Sequence, residues 1–165
     1  MSRLVVVLPL SPLREGDQFA VHEWPLHVTV LPPFKTDATG TEIAEAIRSI
    51  ASGLNPLRAV GAGDELFGRR HDIPVTLLVE NERLTTLHHA VRAAVRPFAA
   101  EPDEPAFTGP GFRPHVTVKS HGRVHEGDRF TLSQIAVVDM APRASAGRTV
   151  LATIDLPVAP GMVTP

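Results

Sequence analysis

His27-Val28-Thr29-Val30 and His115-Val116-Thr117-Val118 write the same tetrapeptide twice, 88 positions apart (115 minus 27). Each copy lies in an apolar run, each closely follows a proline (Pro25, Pro114), and each occupies its own half of the chain. Alternate side chains of a strand share a face, about 6.5 Å apart. His27 and Thr29 therefore point one way while Val28 and Val30 point into a core; His115 and Thr117 do the same over Val116 and Val118. Halves packed about a pseudo-twofold axis would bring both polar faces to one cleft, as a box of two imidazoles and two hydroxyls. Such a box suits in-line displacement at phosphorus, where one oxygen loses a proton while another gains one. Histidine, with an ordinary pKa of about 6.5, serves either role near neutrality. The threonine hydroxyls would hold the non-bridging oxygens. One imidazole as base and the other as acid predicts a bell-shaped pH–rate curve, with no metal or other cofactor required.

The two copies differ in their neighbours. Continuing the period of two, the first strand places Leu31 beyond Thr29, whereas the second places Lys119 beyond Thr117 and Arg113 on the other side of His115. The second copy thus adds the cations a phosphate subsite wants.

Paired His-x-Thr-x motifs, one per half of a chain this long, resemble the 2H phosphoesterase superfamily, in particular its 2′-5′ RNA ligase-like and RNA 2′,3′-cyclic phosphodiesterase group. The resemblance rests on His27-Val28-Thr29-Val30 with the following Leu31-Pro32-Pro33-Phe34, and on Phe112 to Lys119. It implies an α+β fold: a bilobal duplicated α/β unit, with antiparallel or mixed sheets flanking a central cleft and helices outside. It implies that His27 and His115 act as acid and base and that Thr29 and Thr117 contact the phosphate. The substrate would be an RNA 3′-end or nucleotide bearing a 2′,3′-cyclic phosphate, a 2′-5′ linkage, or another small phosphodiester, with ligation as the reverse direction. The alternative is a non-catalytic module that binds RNA ends or cyclic nucleotides on the same fold. The chain has no tyrosine, so base stacking falls to Phe34, Phe112 or Trp24.

Other histidines fit plainer roles. His121 and His125 have a spacing that makes a metal pair on a helix, but Gly122 and Gly127 favour a turn; this pair is the basis of a third reading, a metal-dependent hydrolase. His88 and His89 fall on a helix as packing or exposed residues, and His22-Glu23 reads as a solvated loop. Arg69-Arg70-His71 reads as a charged hairpin tip able to grip a departing RNA strand.

The elements that must position these residues are legible between 16 prolines and 12 glycines. Strands are expected at Leu4–Leu8, at Leu26–Leu31 before the Pro32-Pro33 pair, and at Leu57–Phe67 paired with Ile73–Glu80. Further strands are expected at Arg113–Ser120, Phe130–Met140 and Arg148–Leu156. Helices are expected at Thr41–Ser52 and from an Asn81 cap to about Arg96, with a structured loop over Pro97–Pro114. One domain of two pseudo-symmetric lobes spans 1–165. Sixteen basic against 18 acidic residues, for a net charge of −2, argue against coating a nucleic-acid backbone. With no cysteine, disulfides and thiolate chemistry are excluded. No segment reads as a signal peptide or membrane span, so a cytoplasmic monomer is expected.

Overall fold

A strand covered on both faces must be apolar at every position, and Leu4–Leu8 is. In the computed structural model of the protein, which describes residues 2–99, 108–140 and 147–156, this run is the buried centre of strand β1 (Ser2–Pro9). The chain continues through β2 (Gln18–Phe19), β3 (His27–Thr36), α1 (Gly40–Ala51), β4 (Leu57–Phe67), β5 (Ile73–Leu78) and α2 (Glu82–Val95). It ends with β6 (His115–Thr117), β7 (Arg129–Leu132), β8 (Gln134–Asp139) and β9 (Arg148–Asp155). The strands form one sheet in the order β2-β9-β8-β1-β3-β6-β5-β4-β7, antiparallel at every described pairing.

The expected α+β class and antiparallel pairing stand. The strands, however, form a single sheet whose seam is β3 against β6, the two His-Val-Thr strands themselves. Each side of the seam mixes strands from both halves of the chain: β1, β2 and β3 with β8 and β9 on one side, β4 and β5 with β6 and β7 on the other. Both helices cover one face. Ile43, Ala44, Ile47 and Ala51 of α1 and Leu84, Leu87 and Val91 of α2 share a core with Val28, Val30 and Val116. Each such aliphatic side chain contributes about 1.5–3 kcal/mol when fully buried. A Thr39–Glu42 capping box starts α1, and the Asn81 side chain accepts from Leu84 N–H to start α2 as expected. The opposite face carries a smaller cluster of Val5, Val7, Trp24 and Val138, beside which the motif histidines emerge.

Three expectations need correction. Strand β3 does not stop at Pro32-Pro33 but runs to Thr36. Its partners jump from Val6↔Leu31 to Leu4↔Phe34, so two residues oppose Val5. This β-bulge is a place where a missing proline N–H goes unfelt. Phe130–Met140 is two strands, interrupted at Ser133, and the two-residue β2 is too short to leave a periodic signal. Val118 is not a core residue: it lies past the end of the short β6, half-buried, with its N–H donated to the Pro74 carbonyl. Part of the Pro97–Pro114 loop, residues 100–107, lies outside the described residues. Among the described residues no helix is long and apolar enough to cross a membrane.

Candidate active site

The pairing of β3 with β6 fixes the geometry. Val28 is opposite Val116 in an antiparallel ladder, so His27 faces Thr117 and Thr29 faces His115. Directly opposed Cβ atoms are about 5 Å apart and diagonal ones about 7–8 Å. The two histidines occupy one diagonal and the two threonines the other, all on the face away from the helices. A tetrahedral phosphoryl group fits over the centre of that parallelogram with an imidazole on either side.

Both imidazoles are held by the same device. His27 Nδ1 is 2.8 Å from the Pro25 carbonyl, and His115 Nδ1 is 2.7 Å from the Arg113 carbonyl. A carbonyl only accepts, so each Nδ1 carries a proton and each neutral ring keeps its lone pair on Nε2. In each copy the acceptor is the residue two positions earlier, a local symmetry beyond the repeated tetrapeptide.

Their surroundings differ. The His27 ring stacks on Trp24, centroids 4.0 Å apart. Burial pushes its pKa down to about 4; the Pro25 hydrogen bond opposes this, and the charges of Lys119, His115 and Arg148 add to it. His115 meets the edge of Phe67 at 4.6 Å. Its pKa is lowered as well, by desolvation first and by the Arg113 guanidinium, against the Arg113 carbonyl bond. Burial also lowers the Lys119 ammonium, with the Arg148 charge second.

His27, Thr29, His115 and Thr117 line one cavity of about 410 Å³, and Lys119, Arg113 and Phe112 line it with them. Arg113 lies over the Phe67 ring at 4.9 Å and 3.9 Å from the Glu65 carboxylate. Phe112 stacks flat on His88 at 4.1 Å. His88 is fully buried; its Nδ1–H donates to the Val30 carbonyl at 2.7 Å and its Nε2 accepts from Gly109 N–H at 2.8 Å. It is thus a packing residue that ties the turn before β6 to β3, while His89 is exposed.

Phe34 does not reach the cleft. It is 2% exposed in the helix-side core with Val28 and Val30, whose strand parity it shares. Trp24 does line the cavity. Arg148, Ile73 and Met140 also line it and were missed. Arg148 alone had left a signal: it shares strand parity with the buried Val150. His121 hydrogen-bonds the Trp24 carbonyl at 3.3 Å, His125 is exposed, and among the described residues no three His, Asp or Glu side chains gather into a metal-binding group. His22 and Glu23 are solvated, and Arg69, Arg70 and His71 form the exposed β4–β5 tip.

The comparisons agree with this architecture. The sequence-family model of the 2′-5′ RNA ligase superfamily matches residues 6–137. No curated protein matches the sequence. Among solved structures, TT0787 of Thermus thermophilus shares the fold at TM-score 0.62 and 20% identity, over 93% of this chain and 97% of that one. E. coli LigT complexed with NADP+ does so at TM-score 0.60 and 15% identity, over 94% and 98%. A structure described as a phosphoesterase follows at TM-score 0.54 and 17% identity, over 94% and 98%. These structural likenesses speak for the fold; the family match, over most of the length, says that this chain belongs to the 2′-5′ RNA ligase superfamily of 2H phosphoesterases.

Proposed function

We propose that the protein is a phosphodiesterase that opens 2′,3′-cyclic phosphates of RNA 3′-ends or nucleotides, or cleaves 2′-5′ linkages, with its two histidines as base and acid. The observation that carries this reading is the diagonal pair His27 and His115, each with Nδ1 fixed on a carbonyl, which makes Nε2 the nitrogen that exchanges a proton. His27, the more deeply desolvated and flanked by cations, stays neutral and takes the proton of the attacking water. The water oxygen bonds to phosphorus as the bond to one ribose oxygen breaks. His115, which enters the step as the imidazolium with a second proton on Nε2, gives that proton to the departing oxygen, leaving a phosphomonoester; exchange with solvent then returns both rings to their starting states. The hydroxyls of Thr29 and Thr117 donate to the non-bridging oxygens, where pre-set donors are worth most. Because each half supplies one histidine, the two halves work as one unit.

Nucleotide phosphates as ligands gain support from the relatives: E. coli LigT structures are described as complexed with 3′-AMP and with ATP. The test is product formation from a panel of 2′,3′-cyclic nucleotides and 2′-5′ dinucleotides. Wild type is expected to turn over at least one in EDTA, and His27→Ala and His115→Ala each to lose about 10²-fold or more. Turnover retained in either variant overturns the two-histidine mechanism. Binding by wild type without any product supports the non-catalytic alternative.

A further inference from the structure

The described residues lining the cavity include three basic side chains, Arg113, Lys119 and Arg148, and no carboxylate. This concentration occurs in a chain whose net charge is −2. A cyclic phosphodiester brings a single negative charge, so the cleft is more positive than the reaction proposed above requires. The cations are also unevenly placed. Arg113 flanks His115 and has Glu65 nearby. Lys119 and Arg148 lie on the other side, by His27.

Arg148 opens β9 and is only 5% exposed. Its Nη1 donates to the Met140 carbonyl at 3.0 Å and the Gly147 carbonyl at 3.1 Å. These bonds fix the guanidinium 5.3 Å from the centre of the Trp24 ring, whose centre is 4.0 Å from that of His27. By the triangle inequality the Arg148 charge is within about 9 Å of the His27 ring. The Trp24 indole N–H is itself buried with no acceptor among the described residues. Lys119 and Arg148 are close enough for the arginine to depress the lysine pKa, so the two partly desolvated like charges repel. An anion between them converts that repulsion into attraction.

We propose that Arg148 and Lys119 form a second anion subsite beside His27, and that the substrate carries a further phosphoryl group in addition to the scissile phosphodiester. This deepens the phosphodiesterase reading and rests on it for the position of the first phosphate. Its ligand class is a nucleotide with two separate phosphoryl groups on one ribose, or the equivalent pair at the end of an oligonucleotide.

Binding distinguishes the subsite from the chemistry. Calorimetry at low ionic strength compares adenosine 3′-monophosphate with adenosine 3′,5′-bisphosphate on wild type, Arg148→Met, Arg148→Lys and Lys119→Met. Wild type is expected to prefer the bisphosphate by about tenfold or more. Arg148→Met and Lys119→Met should bring the ratio near one, and Arg148→Lys should restore part of it. Equal affinities in wild type, or an undiminished preference in the methionine variants, overturn the proposal. Should loss of Arg148 unfold the chain, Lys119→Met decides. A preference for the bisphosphate in a protein that turns over no phosphodiester leaves the subsite standing and removes the hydrolytic reading. Turnover without the preference removes the subsite alone.

Discussion

Holding His27 neutral has a consequence for stability. The folded imidazole takes a proton only near pH 4, against 6.5 for its ordinary value, because burial disfavours the charged ring. Between these values the unfolded chain binds more protons than the native one, so stability rises with pH through that window. The contribution is fully present above about pH 6.5 and is lost as the pH falls toward 4. At about 1.4 kcal/mol per pH unit, the whole shift is worth about 3 kcal/mol. About 2 kcal/mol of it should be lost between pH 7.5 and 4.5, allowing for water on the cleft side of the ring. The informative variant is His27→Asn, whose amide nitrogen replaces Nδ1 as donor to the Pro25 carbonyl but cannot acquire a charge. Carboxylates and the remaining histidines titrate in both proteins and cancel in the difference. Thermal unfolding at the two pH values should show wild type losing about 4–8 °C more than His27→Asn, at 2–4 °C per kcal/mol for a chain of this size. Parallel curves would mean that His27 is hydrated and ordinary, and the argument for it as a neutral base would go with them.

Three further outcomes follow from the same geometry. Thr29→Val and Thr117→Val, which keep shape and remove a donor, should each lower kcat by about 10²-fold with the fold intact, as read from steady-state kinetics. Gly61→Ala should destabilise by about 3 kcal/mol in urea unfolding, since an added Cβ would stand 2.2 Å from the His125 backbone oxygen. Gly53→Ala, with nothing within 4 Å of its Cβ, is the matched control. His88→Leu should cost about 2–4 kcal/mol, because it strands the Val30 carbonyl and the Gly109 N–H together; an unchanged urea midpoint would contradict the assigned bonds.

Which residues share a face was easier to read in the sequence than the frame that holds them. Alternation alone put His27 with Thr29 and His115 with Thr117, because one polar and one core face is what an internal strand of a half-covered sheet demands. The start of α2 was legible because Asn81 announces itself as a cap, whereas the Thr39–Glu42 capping box that starts α1 went unread. That β3 and β6 pair with each other was not legible, since register between distant strands is set by the whole sheet. Phe34 failed although its signal was present: counting by two from Val28 and Val30 puts it on the core face, where it lies. Arg148 failed for a nonlocal one. An arginine at a strand start usually reads as exposed, and its burial depends on Trp24, 124 positions earlier (148 minus 24).

The central claim is that two imidazoles from distant strands flank one phosphate. Histidine-selective NMR during titration with inorganic phosphate tests it directly, the resonances being assigned through His27→Asn and His115→Asn. The account predicts that His27 and His115 shift together along one saturation curve and that the pKa of each rises as the anion favours its charged form. Movement of only one ring, or two curves with different affinities, would contradict it.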